Sequence, residues 1–273
     1  MTPRSPAQAG AQERVSAAAA APWTPASAGA QVDPRTDYLL RLGDDALVLG
    51  QRVSEWCGHG PVLEVDISLA NLALDLVGQA ALLLNEAGDG DQLAFHRDVL
   101  DFRNCLLVEQ PNGDFAQTIA RHLLYSTWQH MLLQRLAGST DRFLREFAAK
   151  AVKETAYHRD LASEWTVRLG DGTDESARRM AEGLDWCWRF VPELCEVDAT
   201  LQMAIDSGMA ADPGEFEQEY RSAIAAVLAD ARLDAPADQR PILGGRRGHH
   251  SEHLGHLLAP MQYLPRTYPD ATW

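Results

Sequence analysis

Apolar positions recur along this chain at steps of three and four, and strict alternation of Val, Ile, Thr, Tyr and Phe is absent. That pattern predicts an all-α protein. The first helix is expected over about 37–56, with the seam Leu39, Leu42, Ala46, Leu49, Val53, Trp56, and it ends at Gly58, Gly60 and Pro61. The second, 63–87, has only a narrow polar stripe of Glu64, Ser68, Asn71, Asp75, Gln79 and Glu86. The rest of it is Leu, Ile, Val and Ala, which predicts burial on most sides. A shorter helix over 91–109 is stopped by Pro111-Asn112-Gly113. Asp114 is placed to cap a third long helix, 115–137, and Gly138-Ser139-Thr140 separates it from a fourth, 141–169. Four long helices with short connections predict an antiparallel four-helix bundle. Additional C-terminal helices are expected at 174–189, 196–207, 213–231 and 249–263, with a Pro-, Gly- and Arg-rich loop over 234–248.

Residues 1–36 are rich in Ala, Pro and Ser and poor in large apolar side chains, so they predict a disordered tail ahead of one helical domain, 37–273. Within the tail, Ala17–Ala21 lacks the leucine-rich core of a signal peptide. A net charge of −15 argues against nucleic acid and against an anionic membrane surface as partners. No uninterrupted apolar run of the length of a membrane span stands out. Cys57, Cys105, Cys187 and Cys195 have no C-x-x-C spacing and read as reduced thiols, which places the protein in the cytoplasm.

The candidate chemistry lies on the fourth helix. Its seam runs Phe147, Ala151, Glu154, His158, Leu161, Trp165, Leu169, so a carboxylate and an imidazole turn inward among apolar neighbours. Di-iron carboxylate bundles use Glu-x-x-His, with a Glu from each of two further helices. Here Tyr157 holds the i+3 position and the histidine comes at i+4, about 100° further round the helix. No Asp or Glu anywhere in the chain has a histidine at i+3. The third helix has no Asp or Glu between Phe115 and Thr140, and the second has no histidine. The remaining candidates, Asp45, Asp75, Glu154 and His158, are too poor in charge for two irons and read as a degenerate metal site. In the plainer reading Glu154 and His158 form a buried hydrogen-bonded pair close to Tyr157.

Two smaller features remain. His249, His253 and His256 would share a helix face, a spacing able to hold a transition metal but more common in surface packing. Gly244-Gly245-Arg246-Arg247-Gly248 is a small basic patch that offers Arg246 and Arg247 to an anion or an interface; no strand precedes it, so it is not a dinucleotide fingerprint.

Several stretches together resemble one family: Tyr38–Arg52, Ser54–Pro61, Ala70–Ala80, Glu109-Gln110-Pro111-Asn112-Gly113-Asp114-Phe115, Tyr157-His158, Glu164-Trp165, Arg168–Thr173 and His250-Ser251-Glu252-His253-Leu254-Gly255. They resemble the PaaC-type subunit of bacterial phenylacetyl-CoA 1,2-epoxidases, from about residue 37 to the C-terminus, with the alanine-rich tail outside the likeness. The resemblance implies a ferritin-like fold and a structural, non-catalytic role within a monooxygenase complex of aerobic phenylacetate degradation. It implies that this chain carries no cofactor, while a catalytic sister subunit of the same fold holds the di-iron site. It also implies a small bridging subunit and a reductase with FAD, iron–sulfur and NADPH. The competing expectation is an independent di-metal or mono-metal oxidase built on Asp45, Asp75, Glu154 and His158.

Overall fold

The computed structural model describes residues 33–237, 239–269 and 271. The expected tail lies outside the described residues up to 32, as does Ala17–Ala21. The first helix begins earlier than expected, because Pro34, Arg35 and Thr36 already form the first turn of α1 (Pro34–Ser54). Asp33 accepts a hydrogen bond from the Thr36 backbone N–H at 3.1 Å, and a proline at the first helical position has no N–H to leave unpaired.

Among the described residues the regular structure is helical, as expected of an all-α, ferritin-like bundle. Two helical hairpins make its centre. One pairs α1 with α2 (Leu63–Ala87), and the other pairs α5 (Phe115–Leu136) with α6 (Arg142–Gly170). A crossover, 88–114, joins them and holds the short helices α3 (Gly90–Phe95) and α4 (Leu106–Glu109). α7 (Asp174–Trp188) packs on α5, and α8 (Ala199–Asp206), α9 (Glu217–Asp230) and α10 (Glu252–Thr267) complete the fold. Gly43 and Gly50 let α1 approach α2 closely: a Cβ on Gly43 would stand 2.8 Å from Leu84 Cδ2, and one on Gly50 3.2 Å from Leu76 Cβ. The hairpins meet through edge-on aromatic contacts of Phe115 with Trp56 and with Trp165.

Several expectations need correction. The helix expected over 91–109 is broken into α3, a 3-10 turn at Val99–Asp101 and α4. The reason is competition for hydrogen bonds. The Arg103 N–H donates to Asp44 at 2.8 Å and the Cys105 N–H to Asp45 at 2.7 Å. These buried carboxylates of α1 take the place of the i−4 carbonyls a helix would use. At the other end, α10 starts at Glu252, so His249 lies outside it and the three histidines do not form one helical stripe. Trp56 falls just past the end of α1.

α2 departs furthest from expectation. It has a mean hydropathy of 1.7 over an 18-residue window and is, by length and composition, apolar enough to cross a membrane, against the expectation that no such stretch exists. Nor is it buried on most sides. Leu69, Leu72, Leu76, Leu83 and Leu84 enter the core, while Leu63 (72% exposed), Ile67 (53%), Leu74 (70%) and Leu82 (44%) face outward. The four cysteines are all unpaired.

Candidate functional site

Where a bundle of this kind places its metal ligands, α2, α5 and α6 present a polar seam. On α6 the fully buried residues are Leu144, Ala148, Thr155, His158, Ala162 and Thr166. Phe147 and Ala151 also point inward, while Glu154, Leu161, Trp165 and Leu169 sit at the edge. His158 has no exposed side-chain surface, and its Nε2 lies 3.1 Å from Asp75 Oδ2 on α2. Asp75 is 37% exposed and reaches a groove of about 350 Å³ between α2 and α6. Glu154 faces a different partner: its carboxylate accepts from Gln79 Nε2 at 2.9 Å. Gln79 in turn accepts from Gln129 Nε2 of α5 at 3.0 Å. A short ladder, Gln129 to Gln79 to Glu154, therefore crosses three helices.

Glu154 and His158 are thus not hydrogen-bonded to each other. At i+4 on one helix they diverge, His158 into the bundle and Glu154 to its rim. Tyr157, expected nearby, is 46% exposed and turned outward. The residue that sequence reasoning passed over is His122 of α5. It is buried, its ring centre lies 5.8 Å from that of His158, and neither of its nitrogens has a protein partner. Burial, with His158 and Arg121 adding to it, holds its imidazole well below the ordinary histidine range, so it is neutral. Its signal was present: His122, Ser126 and Gln129 make a polar line at i, i+4 and i+7 on an otherwise apolar helix.

Asp45 lies elsewhere. It is fully buried in α1 and receives both terminal guanidinium nitrogens of Arg246, Nη1 at 3.0 Å and Nη2 at 2.8 Å, besides the Cys105 N–H. The basic patch therefore turns inward at Arg246, which also donates to the carbonyls of Arg41 and Arg103. Arg247 remains at the surface, paired with Glu196 at 2.6 Å. Among the histidines of the C-terminal cluster the buried one is His250, whose Nδ1 is 2.7 Å from Glu109. His249 and His256 are exposed and His253 is half-buried.

As a donor set for two irons the seam fits poorly. α1 contributes nothing to it, since Asp45 is held by Arg246; α5 contributes an imidazole and no carboxylate; Glu154 is tied to an amide. Among the described residues no three His, Cys, Asp or Glu side chains are grouped to hold a metal ion.

Both the polar seam and the stretches quoted from the sequence can now be set beside known proteins. A family model described as "Phenylacetic acid catabolic protein" matches residues 17–273. The chain belongs to the phenylacetic acid catabolic protein family. It is also similar to a relative from Escherichia coli (strain K12), the C-type subunit of 1,2-phenylacetyl-CoA epoxidase. The two are 46% identical over 244 residues, covering 87% of this chain and 98% of the relative. The resemblance to PaaC-type subunits is therefore borne out, and the family match starts at residue 17, further toward the N-terminus than the residue 37 expected.

Proposed function

We propose that this chain is the structural, non-catalytic subunit of a multicomponent phenylacetyl-CoA 1,2-epoxidase in aerobic, cytoplasmic phenylacetate degradation. In this reading it stabilises a sister subunit of the same fold that holds the di-iron centre and binds the substrate. A small bridging subunit and a reductase carrying FAD and iron–sulfur, fed by NADPH, complete the complex. The observation that carries the reading is the polar seam: its position matches a metal site, but its ligands are short of carboxylates, and the nearest candidates are tied to one another or to amides. The likeness to the Escherichia coli relative supports the same assignment. The exposed apolar side of α2 supports a role in assembly, because a row of leucines in water is normally covered by something.

The test is reconstitution. The catalytic sister subunit is assayed for phenylacetyl-CoA epoxidation with the reductase, with and without this chain. This chain is expected to bind the sister subunit and raise its activity and thermal stability, while showing no epoxidation alone. Turnover by this chain without the sister subunit, or absence of any association between them, would overturn the proposal.

A further inference from the structure

Gly78 stands in the middle of the 25-residue helix α2. A glycine in a helix interior destabilises it relative to alanine, so it needs a reason to be there. Gly43 and Gly50 have theirs inside this chain, where a Cβ would press on α2. A Cβ on Gly78 would meet nothing within 4 Å. The helix is therefore weakened at a position where its own fold leaves open space.

The surroundings of Gly78 say what the space is for. Leu74 and Leu82 are exposed one turn to either side. The groove between α2 and α6 opens beside it and is lined by Asp75, Gln79, Phe147, Lys150 and Glu154. Along its whole length α2 has four acidic residues, Glu64, Asp66, Asp75 and Glu86, and no Lys or Arg. We infer that a helix of another chain crosses α2 at Gly78, its backbone seated against the missing side chain and its apolar side chains between Leu74 and Leu82. A second copy of this chain offering the same face would bring carboxylates toward carboxylates with no basic residue on α2 to answer them. The occupant is instead a helix of the catalytic sister subunit whose apolar stripe is flanked by Lys or Arg, with a basic group reaching the Asp75 and Glu154 carboxylates. This inference rests on the proposed function and adds to it a crossing point and the chemistry of the partner helix.

The experiment measures two properties of Gly78→Ala that the inference drives in opposite directions. The melting temperature of the isolated chain should rise by roughly 2 °C, because alanine is the better helix former and meets open space. Affinity for the purified sister subunit should fall by about tenfold or more, because the added methyl holds the partner helix away. Asp75→Asn should flatten the salt dependence of that affinity. If Gly78→Ala binds as tightly as the parent chain while Leu74→Asp abolishes binding, the crossing point is wrong although the proposed function stands. If both variants bind normally, α2 is not the contact and the inference is overturned. If sedimentation shows that the chain alone dimerises and Gly78→Ala dissolves the dimer, the occupant is a second copy and the inference is overturned. If the parent chain does not bind the sister subunit at all, the proposed function fails with it.

Discussion

The two polar regions inside this molecule are built in opposite ways. Around α1, the buried carboxylates are saturated. Asp44 holds Arg97 and the Arg103 N–H, Asp45 holds Arg246 and the Cys105 N–H, and Glu193 accepts from the backbone N–H groups of Leu106, Gly244 and Gly245 at 2.6–2.8 Å. Glu109 accepts from Asn104, from the Ser251 N–H, and faces His250. In the seam between α2, α5 and α6, by contrast, both nitrogens of His122, the second nitrogen of His158, Ser126 Oγ and Gln129 Oε1 have no protein partner. Asp75 sits at the open end. The first region fastens the crossover and the C-terminal segments to α1, and there a lost partner would strand a buried charge. The second stands where a related fold would keep its metal, and little of this chain's stability rests on it.

The comparison can be broken most forcefully at Arg246. Arg246→Ala leaves Asp45 buried and uncompensated, and should cost about 3–5 kcal/mol in urea unfolding. A loss no greater than that from an edge substitution would contradict the division into two regions. Next comes Glu193→Gln, which weakens the acceptor of three backbone N–H groups and should cost about 2 kcal/mol, read the same way.

The seam should show itself through pH. Burial depresses the imidazoles of His122 and His130 in the folded chain, whereas in the unfolded chain they titrate near the ordinary value. Above about pH 6.5 they are neutral in both states and cost nothing. Below it the unfolded chain takes up protons that the folded chain refuses, so stability falls with pH, by at most about 1.4 kcal/mol per unit for each fully depressed group. Urea midpoints between about pH 7 and about pH 5.5 should decline, and His122→Gln should reduce the slope. An unchanged slope would remove His122 from the account. The smallest effect is expected at Asp75→Asn, whose partly solvated contact with His158 should be worth less than about 1 kcal/mol.

Much of this was legible in the chain. The periods of three and four placed α1, α2, α5 and α6, because long amphipathic helices bury a continuous stripe that leaves its mark on sequence. The missing carboxylates of α5 and the i+4 spacing of His158 pointed to a seam without a full ligand set before any geometry was known. The crossover was illegible, since Asp44 and Asp45 break its helix from far away along the chain, and no local pattern records a long-range acceptor. Arg246 misled for the same reason: a basic patch and the buried partner of an aspartate look alike until the fold brings them together. The outward leucines of α2 look like core residues in any one-dimensional reading, because a helix that packs on a partner chain has the same composition as one packed within its own fold.

The central claim is that this chain contributes surface to the complex and no metal chemistry. Its most direct test is the iron content of the purified chain after anaerobic incubation with ferrous iron and desalting. The account predicts no stoichiometric iron in this chain, alone or bound to the sister subunit. Stoichiometric iron in the isolated chain, lost in Glu154→Ala, would contradict it.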